Sequence, residues 1–163
     1  SPIIKEKALG VLTRKCGDKW CVAPKDYVGE ITALFTSIQD PRSPIAVRYT
    51  RDHVTVDQFM TAENILRLHA EDCDGGTTIL GAMLMSVGYP VKARVIQAKN
   101  ASTYSHIYLL VGTPPENPTR WIPLDWSVED APVGWEAPGA KLCAKTGQPH
   151  GVVVKVKDFD IAV

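Results

Sequence analysis

A surplus of charge is the first thing this sequence does not have. Lys plus Arg and Asp plus Glu both total 18, so the chain of 163 residues carries no formal net charge. Binding to nucleic acid or to an anionic membrane needs a basic surplus on some face, and the composition predicts no nucleic-acid partner. Long apolar runs are missing as well. The longest, over 79–87, is broken by Gly81 and Ser86 and falls well short of the roughly 20 residues that span a bilayer. The start, Ser1-Pro2-Ile3-Ile4-Lys5, shows no basic region followed by an apolar core. A soluble chain with no visible signal peptide and no membrane span is therefore expected. Cysteine is scarce. Cys16, Cys21, Cys73 and Cys143 are too few for a disulfide scaffold at this length. Cys16 and Cys21 have no second pair of Cys or His ligands, and His53, His69, His106 and His150 show no His-x-x-x-His spacing. Neither a structural zinc site nor a metal hydrolase is expected, and no cofactor. The Cys16/Cys21 pair reads equally as two thiols or as a small disulfide loop.

What is present suits a single core. A hydrophobic fraction of 45% over 163 residues is enough for one compact domain, expected to span residues 1–163. Helical periodicity over 25–39 (Tyr27, Val28, Ile31, Leu34, Phe35, Ile38) ends at Asp40-Pro41. A connector at 41–44 leads to an extended stretch over 45–50 and a second amphipathic helix over 57–69. A third helix is predicted over 75–87, with Ile79, Leu80, Met83, Leu84 and Val87 on one face and Gly88 at its terminating position. Strand-like segments follow at 91–97, 104–111, 120–126 and 152–156; the middle two are joined by a proline-rich loop over 112–119. Residues 130–148 read as a long loop rich in Pro, Gly and Ala. Helices first and consecutive strands after them predict an α+β fold, with helices packed on an antiparallel sheet.

Three residues carry chemistry within that plan. Cys73 stands in Asp72-Cys73-Asp74-Gly75-Gly76, directly before the third helix. Unpaired backbone N–H groups and the positive end of the helix dipole favour a thiolate there, and the same groups can stabilise an oxyanion. His106 lies on the strand Tyr104-Ser105-His106-Ile107-Tyr108-Leu109-Leu110-Val111. Alternation puts it with Tyr108 and Leu110, opposite the more core-like Ile107, Leu109 and Val111. Asp125 closes the apolar run Trp121-Ile122-Pro123-Leu124, where a carboxylate is costly unless it is paired. If the two strands pair through the 112–119 loop, His106 and Asp125 could lie across from each other, in a register that the sequence does not fix. Thiol at a helix start, histidine on a strand and aspartate on the next strand together make a nucleophile–base–orienter set.

The combination resembles the transglutaminase-like superfamily, whose cores share papain-type geometry, over about residues 49–126. The run from Glu71 through Leu84 to Gly88-Tyr89-Pro90 is similar to that family's nucleophile segment. Ser105-His106-Ile107-Tyr108 is similar to its histidine strand, and Trp121-Ile122-Pro123-Leu124-Asp125 to its aspartate strand. The resemblance implies a nucleophilic Cys73, a general base and acid His106, and an orienting Asp125. It also implies a thioester intermediate on a peptide or protein substrate, resolved by water or by an amine. Gly75-Gly76 stands where many members carry an Asp and a larger residue. Trp20, Tyr49 and His53 are the upstream candidates for a side-chain oxyanion donor. The segment 130–136 is reminiscent of phage- or prophage-encoded members. A peptide or isopeptide hydrolase is the leading expectation. Amine transfer along a channel walled by Trp121, Trp126 and Trp135 is one competitor, and a catalytically inert binding or assembly module on the same fold is another.

Overall fold

The computed structural model describes residues 2–40, residue 42 and residues 75–161. The extended stretch expected over 45–50, the helix expected over 57–69, Tyr49, His53 and Cys73 lie outside the described residues. Along the chain run α1 (Pro2–Leu12), β1 (Lys15–Cys16), β2 (Lys19–Trp20), α2 (Tyr27–Gln39) and α3 (Gly75–Ser86). They are followed by β3 (Val91–Ala98), β4 (His106–Thr113), β5 (Arg120–Leu124), α4 (Ala140–Thr146) and β6 (Val153–Asp160). The fold is α+β, as expected. Among the described residues no helix is long and apolar enough to cross a membrane.

The ends of α2 and α3 follow from local chemistry. Lys25 adopts a left-handed φ of 61°, which no helix interior accommodates. Asp26 then caps α2, its Oδ1 accepting from the Gly29 N–H at 3.0 Å. The helix therefore begins at Tyr27 rather than at position 25. Its buried stripe is Ile31, Leu34, Phe35 and Ile38. In α3 the last turn closes through two bonds: the Gly88 N–H donates to the Met85 carbonyl at 3.1 Å, and the Tyr89 N–H to the Leu84 carbonyl at 2.9 Å. Gly88 supplies the φ of 98° that this closure requires.

Two helices were not expected, nor was the hairpin β1–β2. Helix α1 lays Ile4, Ala8, Val11 and Leu12 against α2 and α3, with Ala8 completely buried. Short helix α4 interrupts the supposed loop over 130–148, bracketed by Gly139 at φ 92° and Gly147 at φ 71°. A Cβ on Gly139 would come within 1.9 Å of the His150 carbonyl oxygen, so this approach of two segments admits glycine alone. The small hairpin β1–β2 is tied by a disulfide between Cys16 and Cys21, which settles the alternative the sequence leaves open.

The four long strands form one sheet in the order β5-β4-β3-β6, every neighbour antiparallel. Strand β4 pairs β5 through Leu109↔Leu124 and Val111↔Ile122, and β3 through Ile96↔His106. One face bears the main core, where Leu109, Val111, Ile122 and Leu124 meet α1, α2 and α3. This is the face that alternation singles out. The opposite face is buried too: Tyr108, Leu110 and Ile96 pack under Ala140 and Cys143 of α4 and Val153 of β6. Helix α4 is the reason, because it roofs a face that the sequence leaves nominally exposed.

Candidate active site

At one end of the sheet β4 begins and β5 stops. His106 is the first residue of β4, and Asp125 follows the last residue of β5. Their side chains meet: Nε2 of His106 and Oδ2 of Asp125 stand 2.6 Å apart. A carboxylate only accepts, so the Nε2–H donates. Asp125 is 1% exposed and its partner's side chain 32% exposed. One end of the pair is thus sealed in protein while the ring still reaches the surface. The burial that is costly for a lone carboxylate is offset by a second bond, as Ser127 Oγ donates to Asp125 Oδ1 at 2.8 Å. These two bonds explain why β5 ends at Leu124, two residues before its expected limit of Trp126.

Trp126 fixes where this pair sits relative to the helices. Its indole is 4% exposed and belongs to the main core, and its Nε1–H donates to Oγ1 of Thr77 in the first turn of α3. Its carbonyl accepts from Gln39 Nε2 at the end of α2, at 3.3 Å. The segment 125–127 is therefore held by the sheet, by the beginning of α3 and by the end of α2. Cys73, two positions ahead of Gly75, lies outside the described residues, so of the three expected site residues the structure brings together His106 and Asp125. Trp126 is a core residue and Trp121 packs partly buried beneath Lys92, whose Nζ is 4.3 Å from the ring centroid. Trp20 lies on the exposed hairpin under Lys15, at 3.9 Å.

Sequence reasoning missed the supports of the pair. The Tyr108 ring lies 5.8 Å from that of His106, tilted 36°. Its hydroxyl donates to Oε2 of Glu136, which also accepts from Arg94 Nη1 at 3.0 Å. Arg94 in turn makes a two-pronged contact with Asp158, at 2.7 and 2.9 Å. Burial works to lower the Arg94 pKa, but the hydrogen bonds and charges of Asp158 and Glu136 outweigh it, so the guanidinium is held charged above its ordinary value. Burial first, and then Glu136, pushes the Tyr108 hydroxyl above the usual tyrosine value. Tyr89, hydrogen-bonded to Glu30 at 3.1 Å, is raised in the same way, again chiefly by burial. A pKa raised on folding adds stability that is complete below the unfolded value and is lost as pH climbs toward the folded one. Stability is therefore expected to hold up to about pH 10 and to decline above it, where the unfolded tyrosines ionise first. Tyr108→Phe should flatten that decline in denaturant titrations run between pH 8 and 11.5, leaving the share due to Tyr89.

Among the described residues no three His, Cys, Asp or Glu side chains gather as a metal site. No family model, curated protein or solved structure matches the chain.

Proposed function

We propose that the chain is a cysteine-dependent acyl-transfer enzyme of the transglutaminase-like type, hydrolysing a peptide or isopeptide amide through a thioester. The observation that carries this reading is the buried Asp125, just past the end of β5, bonded to a half-buried His106 at the start of β4. The residue next in chain to Asp125 is clamped to the first turn of α3. Covalent geometry alone keeps Cys73 within about 14 Å of Thr77, four residues at up to ~3.6 Å each. With Nε2 serving Asp125, proton exchange with the thiol falls to Nδ1 of His106.

The chemistry follows from those roles. His106 takes the thiol proton, and the Cys73 sulfur attacks the amide carbonyl carbon. The tetrahedral oxyanion is met by backbone N–H groups at the helix start. As the C–N bond breaks, His106 returns the proton to the departing amine and a thioester remains. Water, deprotonated by His106, then attacks the thioester, releases the carboxylic acid and restores the thiol. Asp125 holds the ring in one tautomer and stabilises its positive charge throughout. Base assistance of this kind contributes about 10²–10⁴-fold.

The test is alkylation of Cys73 by iodoacetamide as a function of pH. An imidazole-paired thiolate should give a reactive plateau well below the ordinary thiol pKa of about 8.5, and His106→Ala should remove it. Labelling no faster than that of a free thiol, with no plateau, would sink the reading in favour of an inert binding module. Release of acid rather than incorporation of an added amine, on a glutamine peptide, distinguishes hydrolysis from amine transfer.

A further inference from the structure

The two oxygens of Asp125 have different partners. Oδ2 accepts from the His106 ring at 2.6 Å, and Oδ1 from the Ser127 hydroxyl at 2.8 Å. Among the described residues no other donor reaches this carboxylate, and at 1% exposure water hardly does. The last torsion of an aspartate side chain is broad and roughly two-fold. A carboxylate held by one oxygen therefore swings in and out of the imidazole plane, whereas one held by both is confined. The hydroxyl that confines it belongs to Ser127.

Ser127 has a fixed base from which to do this. Trp126, the residue before it, gives its indole N–H to Thr77 and accepts from Gln39 on its carbonyl. Beyond it the chain turns, the Ala131 N–H donating to the Val128 carbonyl at 3.2 Å. It then returns to β5, where the Gly134 N–H donates to the Pro123 carbonyl at 2.9 Å. The segment is anchored on both sides of the hydroxyl. None of these tethers uses the Ser127 Oγ, so removing that atom leaves the backbone held and changes the support of Asp125.

Resting on the acyl-transfer reading, we propose that Ser127 is a positioning residue, whose hydroxyl sets the plane of the Asp125 carboxylate. In that plane Oδ2 holds His106 as the Nε2–H tautomer, and the lone pair of Nδ1 takes the thiol proton. Ser127 acts through Asp125 alone. A hydroxyl that merely satisfied a buried oxygen would affect stability; one that positions the carboxylate also governs the tautomer and kcat.

The experiment has two arms, both on the full chain. The first reads the tautomer without turnover, in a Cys73→Ala background, about two pH units above the ordinary histidine pKa of about 6.5. Correlation of ring 15N and 1H signals, with His106 assigned by its loss in His106→Gln, should show protonation at Nε2 alone. Adding Ser127→Ala should admit the Nδ1–H form. The second arm is steady-state acid release by the chain with Cys73 intact. Ser127→Ala should lower kcat by about 10- to 100-fold, the scale on which a misplacement of about 1 Å acts, and leave KM unchanged. Ser127→Thr keeps a hydroxyl and should recover most of the rate. Ser86→Ala is the control: it deletes another half-buried hydroxyl, bonded to the Met83 carbonyl at 2.7 Å at the far end of α3, and should turn over like the parent.

An unchanged tautomer in Ser127→Ala, or a loss of kcat no larger than that in Ser86→Ala, would overturn the proposal. So would a Ser127→Thr chain that melts with the parent yet stays slow; if it melts well below, the tautomer decides. A tautomer shift in a chain that turns over no amide would keep Ser127 as the support of the pair and overturn the chemistry. Turnover indifferent to Ser127 would do the reverse.

Discussion

Cys73→Ala and His106→Ala are each expected to bring amide turnover down to background, while Asp125→Ala leaves a measurable remainder. In the proposed reaction the sulfur is the atom to which the acyl group becomes bonded, so no side chain can deputise for it. In the same proposal the imidazole both takes and returns the proton, so its loss would remove base and acid assistance together. Asp125 acts through the ring. Its removal leaves the His106 Nε2–H and the Ser127 hydroxyl without the oxygens that accept them at 2.6 and 2.8 Å. Each donor left unpaired costs about 1–3 kcal/mol where water cannot reach. Asp125→Asn keeps the shape but offers an amide where a carboxylate stood, and freeing the wrong tautomer lowers kcat by up to about 10⁴-fold. Steady-state acid release checks all four variants, with a thermal melt on each to show that it is folded. An active Cys73→Ala chain would end the reading.

Trp126→Ala is expected to cost about 3–5 kcal/mol of stability, the range for deleting a buried aromatic side chain. Trp126 is 4% exposed in the main core, so the cavity has little chance to fill with solvent. Trp126→Phe isolates the hydrogen bond: it keeps most of the apolar volume but removes the indole N–H that Thr77 accepts. Thr77 is 3% exposed, and losing that bond should cost about 1–3 kcal/mol. Urea titration reads both, through the midpoint at unchanged slope. Because the same bond ties the neighbour of Asp125 to the start of α3, Trp126→Phe should also depress kcat more than it raises KM. Stability equal to the parent chain in both variants would show that the clamp is incidental.

The parts of the fold that were legible share a cause. Helices α2 and α3 announce themselves through apolar residues at helical spacing and through Asp26 and Gly88 at their ends. The pairing of His106 with Asp125 was readable in part, because a charged residue closing an apolar strand demands a partner and the preceding strand offers one; the register, Leu109↔Leu124, was not. Strand β6 runs on to Asp160 instead of stopping at 156; its exposed Lys155 and Lys157 disguise the period. Helix α4 has seven residues and too few turns to show a stripe. The chain Tyr108–Glu136–Arg94 joins residues 28 and 42 positions apart, and nothing local in the sequence records such a meeting. Ser127 stands two residues after Asp125, close enough in chain for its hydroxyl to reach Oδ1, yet no pattern in the sequence marks it.

The distribution of sulfur gives the molecule a built-in unfolding clock. Of its four cysteines, two are spent on each other in the hairpin and Cys143 is sealed on the inner face of α4 at 3% exposure. Mass added at position 143 therefore counts the molecules in which the roof over the outer sheet face has lifted. One alkylation time course, resolved peptide by peptide, would follow the chemistry of Cys73 and the opening of that roof as two independent signals.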